Sequence, residues 1–501
     1  MRNLSTQLNP DRVGPFPFPK ADPEKRKKDF SEVEQPYTLE QAIDEAKRCL
    51  LCGTPVCIDA CPVQMDVRGM CEAVSRNDMK TAFLRISDTN DLLGVTARCC
   101  PQLQGLCEDA CVVHWEGQPI SIGMLQRFVS DWEKEGKNKQ PDPVSYPKSG
   151  KRVAIIGAGP AGLAAAALLE RYGHSVKIME ELPANGGTAW YGIPDYHLPK
   201  DVLEYEVERI KDRGIEIRNG VKVGRDVTLS QLFSDEADAI LITTGAKDLV
   251  KLDTPGIDLK GIYDGYQFLQ DVFLNGVGSY LKNPTCDLGM DVVVVGGGDT
   301  ALDDARTALR LTHGNVTIVY RRSENEMPAD AVMLEEAKEE GVQFSFLADP
   351  KSYEGDAGRV TAIVMNKMQL GEPDSTGRRT PKAVTGAEYT VKCSSVLLAI
   401  GRGPNSFLQK VAGLKTGKRN AIAIDDHYKT SMNGVFAAGD VTTGETLVVK
   451  AMGSGREAAQ SVHEYLENIE DQHISLYEKY FAARSYEKLI QGEDVQELPP
   501  P

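Results

Sequence analysis

The sequence predicts an α/β protein: a helical, cysteine-rich N-terminal domain, then two strand–glycine-turn–helix units, the second inserted into the first. Three observations predict this. Nine of the eleven cysteines fall within the first 111 residues. Glycine turns follow short apolar strands at Gly157 and again at Gly296. A strand-like segment near the end, Gly434 to Asp440, returns to the same pattern. With 501 residues and 41% hydrophobic content the chain can hold several cores. No run of about 18 apolar residues offers a membrane span. The net charge of −16 disfavours nucleic acid and anionic lipid as partners, since both demand a basic surface.

The first forty residues carry Gly14-Pro15-Phe16-Pro17-Phe18-Pro19 and the charged stretch Lys25 to Asp29, a pattern of an extended arm. From Thr38, residues Leu39, Ala42, Ile43 and Ala46 share one helical face, and that helix runs into the first cysteines. Cys49, Cys52, Cys57 and Cys61 with Pro62 form C-x2-C-x4-C-x3-C-P, close to the bacterial ferredoxin run for iron–sulfur clusters with only the middle gap longer. Cys99, Cys100 and Pro101, then Cys107 and Cys111, repeat the Cys-Pro theme. Two clusters need eight ligands, which these runs nearly supply. Structural zinc usually closes with two C-x2-C or His pairs, and Cys49/Cys52 is the only such pair. Disulfides require an oxidising compartment, and Met1-Arg2-Asn3 leads into polar residues without a secretory signal, so the expected location is cytoplasmic. The expected cluster domain, arm included, covers 1–148, with a linker of Pro, Gly and charge from Asn138 to Gly150.

Lys151 to Ile156 reads as a buried strand, followed by Gly157-Ala-Gly159-Pro160-Ala161-Gly162 and an alanine-rich helix to Tyr172. This is a Rossmann-like order. The glycines permit a tight turn, a close backbone approach to a pyrophosphate and close packing of helix on strand. The next strand, Ser175 to Met179, ends in Glu180, 23 residues after Gly157. A carboxylate there accepts from a ribose 2′-hydroxyl and repels a 2′-phosphate, so this site suits FAD or NAD.

The second fingerprint ends the opposite way. Val292 to Val295 leads into Gly296-Gly-Gly298-Asp299-Thr300-Ala301, a helix to about Leu311 and a strand Val316 to Tyr320, after which come Arg321 and Arg322. Arginine in that place holds the 2′-phosphate of NADP, so NADPH is expected here. Asp299 beside a pyrophosphate is unfavourable unless it caps its helix. At the tail, Gly434 to Gly439-Asp440 is a strand running into a turn that can offer a carboxylate to a hydroxylated chain, with a helix from about Leu447 to Leu466 behind it. The expected division is 149–287 and 397–475 for the two parts of the first nucleotide domain, 288–396 for the inserted one, and 476–501 for a tail.

Thr243-Thr-Gly245, Ala399-Ile-Gly401-Arg-Gly-Pro404-Asn405 and Ala437-Ala-Gly439-Asp440, added to the two glycine turns, resemble the two-dinucleotide-binding flavoproteins. Gly186-Gly187, Tyr191-Gly-Ile-Pro194, Leu198-Pro-Lys200, Val319-Tyr-Arg-Arg-Ser323, Glu326-Met-Pro328, Gly371-Glu-Pro-Asp374 and Gly377-Arg-Arg379 narrow the resemblance. With the cysteine domain, they are similar to the small (beta) subunit family of NADPH-dependent glutamate synthase, from about residue 22 to 470. The flavin subunit of NADH-dependent ferredoxin:NADP oxidoreductase, a sulfide dehydrogenase subunit and the N-terminal half of dihydropyrimidine dehydrogenase are relatives of that family.

The resemblance implies FAD at the first turn and two 4Fe-4S clusters. Cys49, Cys52, Cys57 and Cys111 would hold one cluster. Cys61, Cys100 and Cys107 would hold the other, with Gln126, fifteen residues past Cys111, as its fourth ligand. Cys99 is an alternative to Cys100, and Cys71 is a spare thiol. Glutamate is more usual than glutamine in the glutamate synthase branch, and a neutral amide should raise the cluster's potential. The implied function is an NADPH-oxidising subunit that passes electrons through FAD and the clusters to a larger, alpha-type partner that makes glutamate. The glutaminase chemistry needs a nucleophile such as an N-terminal cysteine, which Met1-Arg2 does not offer. The alternatives are an NAD(P)H:ferredoxin or dihydropyrimidine dehydrogenase-type input subunit, to which Gln126 inclines and whose acceptor is ferredoxin-like, and a non-catalytic iron–sulfur docking scaffold. No acid–base pair is expected, and none of the seven histidines is assigned a catalytic role.

Overall fold

The computed structural model describes residues 19–136, 145–250, 252–274, 276–374 and 377–468. The expected tail 476–501, the start of the arm and most of the linker lie outside them. Five parallel strands form one sheet in the order Val435–Ala437, Ala239–Ile242, Arg152–Ile156, Ser175–Glu180, Glu216–Asn219. The central strand is apolar on both sides because helices cover both faces; Ala154 and Ile155 are fully buried. A second parallel sheet runs Ile262–Asp264, Ser395–Ala399, Asp291–Gly296, Asn315–Tyr320, Gln343–Phe346. All of it lies in sequence between Ala239–Ile242 and Val435–Ala437, which pair Ile242 with Ala437. The second nucleotide-binding unit is therefore an insertion in the first.

A three-stranded antiparallel sheet, Ala348–Asp356, Arg359–Pro373 and Arg379–Lys392, rises from the second unit. The sequence gives little sign of it. The last of these strands is mostly exposed and carries Pro381 and Gly386, so no apolar face alternates along it.

The N-terminal domain is helical, as expected: Leu39–Ala46, Val67–Ser75, Met79–Ser87, Leu93–Cys99 and Ile122–Glu135. Thr38 opens the first with a capping box, accepting from Gln41 N at 3.3 Å while Gln41 Oε1 accepts from Thr38 N at 2.9 Å. Its core is continuous with that of the first nucleotide-binding unit. Arg171 to Asp88 (2.6 Å) and Arg456 to Asp91 (2.9 Å) join the two across buried ion pairs. The arm is not simply extended over its described part. Pro23–Arg26 is a short helix, and Arg26 pairs with Glu339 at 2.6 Å and Glu340 at 3.0 Å on the inserted unit. Lys20 to Glu336 (3.2 Å) and the Phe30–Phe273 edge contact complete a strap across the molecule.

Candidate functional site

The cysteines gather in two places. Cys49, Cys52, Cys57 and Cys111 line one small cavity, with Arg68 and Ile120. The fully buried Cys71 hydrogen-bonds Cys49 and holds that thiol down at about 7, against the opposing effect of burial. Burial pushes Cys57 up to about 12. The second gathering is Cys61, Cys100 and Cys107, all raised by burial; Cys100 feels the charge of Cys61, and Cys107 that of both. Backbone N–H groups of Val63, Gln64 and Met65 point at the Cys61 sulfur. Cys99 is beside Lys200, Arg98 and Asp303 and acts on Cys100 but does not figure among the charges felt by Cys61 or Cys107. Gln126, on the helix Ile122–Glu135, donates from Nε2 to Leu93 O and to Thr96 Oγ1, both at 2.7 Å. Thr96 O in turn accepts from Cys100 N at 3.1 Å, so the amide lies one helical turn from that cysteine.

The first glycine turn opens a cleft lined by Gly157, Gly159, Pro160, Ala161, Glu180, Gly187, Gly245 and Asp440. Gly157 has φ 109°, and a Cβ on Gly162 would sit 2.1 Å from the Gly157 carbonyl oxygen, so neither position admits a side chain without shifting backbone. Glu180 accepts from Ala158 N at 2.7 Å and Leu182 N at 2.8 Å; burial raises its carboxyl and Lys247 opposes the rise. Lys222 and Phe407, 4.6 Å apart as a cation over a ring, close the same end. Asp440, pushed up to about 6 by burial, accepts from Thr446 Oγ1 at 2.7 Å.

Thr188, Asp440, Thr446 and Val448 also border a larger chamber of about 550 Å³, so cleft and chamber adjoin. Cys99 and Cys100 form part of one chamber wall, and Gly298, Asp299, Thr300 and Asp303 form part of another. Three domains thus converge on one space. Gly296 holds the turn behind it, with its Cβ position 2.2 Å from Ala399 O, and Ala301 is fully buried on the helix Asp299–Thr312. Gly401, at φ 87°, sits by Glu445. Asp299 does not cap its own helix; it accepts from Asp330 N at 2.8 Å, and burial raises it to about 6. Arg321 is exposed at the strand end with the Asp349 carboxylate within electrostatic reach. Arg322 is buried and committed elsewhere, donating to Arg379 O at 2.8 Å and pairing with Asp374 at 3.0 Å.

Residues 151–455 match the pyridine nucleotide-disulphide oxidoreductase family, and residues 26–138 match the dihydropyrimidine dehydrogenase domain II, 4Fe-4S cluster family. The glutamate synthase [NADPH] small chain of Escherichia coli is 35% identical over 93% of this chain and 99% of its own length. That of Azospirillum brasilense is 35% identical over 88% of this chain and 92% of its own. This chain belongs to the glutamate synthase small-chain family. A putative oxidoreductase of E. coli, AegA, is 37% identical over 88% of this chain and 68% of that protein. Among solved structures, Mycobacterium tuberculosis FprA in complex with NADPH shares the fold with TM-score 0.55 and 19% identity, over 68% of this chain and 90% of that one.

Within the segment Tyr191 to Lys200 that carries the resemblance, Tyr196 and His197 line the chamber and Lys200 lies beside it. Tyr196, fully buried under the Arg306 and Arg310 guanidiniums, hydrogen-bonds Asp303, whose carboxyl burial pushes up to about 8. His197 donates from Nε2 to Arg98 O at 2.9 Å, while its buried Nδ1 has no partner among the described residues and burial lowers its pKa. Lys200 reaches Ile193 O and lies 3.4 Å from Asp195. No helix of the described residues is long and apolar enough to cross a membrane.

Proposed function

We propose that this chain is the NADPH-oxidising electron-input subunit of a glutamate synthase, delivering electrons to a larger partner that makes glutamate from glutamine and 2-oxoglutarate. The observation that carries the reading is the single chamber in which the first cleft, the second glycine turn and the Cys100 loop meet. Bound FAD supplies the exchange between a two-electron hydride donor and one-electron acceptors. The chain's residues position and enclose. Gly157, Gly159 and the N-terminus of the helix Pro160–Arg171 would receive the FAD pyrophosphate, and Glu180 has acceptor capacity left for a ribose hydroxyl. Asp440 would face the flavin's hydroxylated chain.

Gly298, whose Cβ position is open to 4 Å, would let the NADPH pyrophosphate approach, and Thr300 and Ala301 begin the helix beneath it. Arg321 is the guanidinium placed for the 2′-phosphate, while Arg322 stiffens the strand end against the hairpin. Two 4Fe-4S clusters fit the two cysteine gatherings: Cys49, Cys52, Cys57 and Cys111 in one, Cys61, Cys100 and Cys107 with Gln126 in the other. Cys100 is the ligand, because Cys99 keeps company with Lys200 and Asp303. We assign 1–148 to the arm and cluster domain, 149–287 and 397–475 to the FAD domain, 288–396 to the NADPH domain and 476–501 to a tail. The exposed Leu51, Val56 and Val112 ring the first gathering and offer the partner an apolar landing.

Mixing the purified holoprotein with a glutamate synthase large chain tests the proposal. NADPH-dependent glutamate formation from glutamine and 2-oxoglutarate is expected. NADPH-driven dye reduction with no glutamate formed would refute the assignment of the partner and leave a reductase with another acceptor.

A further inference from the structure

The surroundings of Gln126 are saturated with acceptors. Leu93 O can only accept, so the atom 2.7 Å from it must be the amide nitrogen, and the other end of the planar amide must be Oε1. Thr96 Oγ1 has one proton and two lone pairs, and all three are used. Its proton goes to Leu92 O at 2.9 Å, shared with Leu93 O at 3.3 Å. Its lone pairs accept from Gln126 Nε2 at 2.7 Å and from Asn90 Nδ2 at 2.8 Å. Asn90 is held in that orientation because its Oδ1 accepts from Leu92 N at 3.1 Å. Its second amide proton meets Met65 Sδ at 3.8 Å, in the loop that wraps Cys61. All three side chains are buried, Gln126 to 6%, Thr96 to 1% and Asn90 to 2% exposure. Oε1 makes no hydrogen bond among the described residues.

A carboxylate at position 126 would place an oxygen against Leu93 O and against a hydroxyl with no proton left to give. That arrangement stacks lone pairs in a buried site and is costly unless the carboxyl is protonated. An amide of the same shape fills it with two donated bonds. We propose that Asn90, Thr96 and Leu93 form a cradle that selects a neutral amide at position 126 and leaves its carbonyl oxygen uncommitted, one helical turn from Cys100, as a ligand for the Cys61, Cys100 and Cys107 set. The inference rests on the reading of Gln126 as that set's fourth ligand. Thr96 and Asn90 are positioning residues, acting on the cluster through Gln126, and the charge they exclude sets its potential.

The test uses the full chain purified anaerobically, with iron content and redox titration followed by electron paramagnetic resonance for each variant. Gln126→Leu checks the ligand reading: it should remove or alter the second cluster's signal, and a parental signal would overturn that reading and the cradle with it. Given an altered signal, Thr96→Val should shift the second cluster's potential and spare the first, and Thr96→Ser should restore the parental value. Gln126→Glu should lose about half the iron or retain the cluster at a lower potential. The cradle alone is overturned if Thr96→Val titrates as the parent does. It is equally overturned if Gln126→Glu assembles both clusters at parental potentials, an outcome readable even where Thr96→Val does not fold.

Discussion

On the proposed reading, single residues decide which nucleotide each turn receives. Glu180 is fixed by two backbone donors, so on that reading its carboxylate stays in place to repel a 2′-phosphate at the first cleft. At the second turn the selective charge falls to Arg321 alone, because Arg322 is paired with Asp374. Arg321→Glu should therefore weaken NADPH by roughly 10- to 100-fold, the worth of one charge-assisted contact, and spare NADH. Steady-state KM values for the two nucleotides check this; equal losses on both would move the phosphate site elsewhere. The gathering cysteines and the glycine turns were legible in the sequence because cluster and nucleotide chemistry fix residue type and spacing. The way Asn90 and Thr96 hold Gln126 was not, because it depends on donors and acceptors counted in three dimensions between separate helices. Asp299 shows the same limit: the local pattern suggests a cap, and the structure spends its carboxylate on Asp330 N.

Among elements, the strap Pro23–Arg26 and the helix Ala331–Glu340 form the clearest energetic unit. Burial alone would raise the Glu340 carboxyl, but hydrogen bonds and charge from Arg306 and Arg310 outweigh it and hold it at about 2. A depressed folded pKa means that the stabilisation is complete above the ordinary 4.5 and is lost as pH falls from there towards about 2. Glu340→Ala would take the carboxylate partner from Arg310 and leave Arg26 and Arg306 with Glu339 and Glu336 alone, at a cost of about 3–5 kcal/mol, a fall in Tm on the order of 10 °C at neutral pH. Thermal unfolding against pH checks it: the gap from the parent should close as pH drops through 4, and a constant gap would assign the loss to packing. The two parallel sheets were legible from strand, glycine turn and helix in order, and the insertion followed from the returning strand Val435–Ala437. The strap was not, because its partners Glu336, Glu339 and Glu340 lie some 300 residues downstream.

For the whole molecule, the architecture places three kinds of site around one chamber and buries the joints between them. Arg171 on Asp88 and Arg456 on Asp91 tie the cluster domain to the first nucleotide-binding unit, and the strap ties the arm to the second. Such joints would hold the proposed redox centres in fixed relation, which electron transfer in sequence requires. The central claim is that electrons enter from NADPH at the inserted unit and leave through the cysteine domain by way of the cleft. The most direct measurement is anaerobic rapid mixing of the holoprotein with NADPH, following flavin absorbance and freeze-quenched paramagnetic signals of the clusters. The account predicts flavin bleaching first, cluster reduction after it, and loss of both in Gly162→Ala, whose methyl would crowd the Gly157 carbonyl and expel FAD. Clusters reduced by NADPH at the parental rate in that flavin-free variant would contradict it.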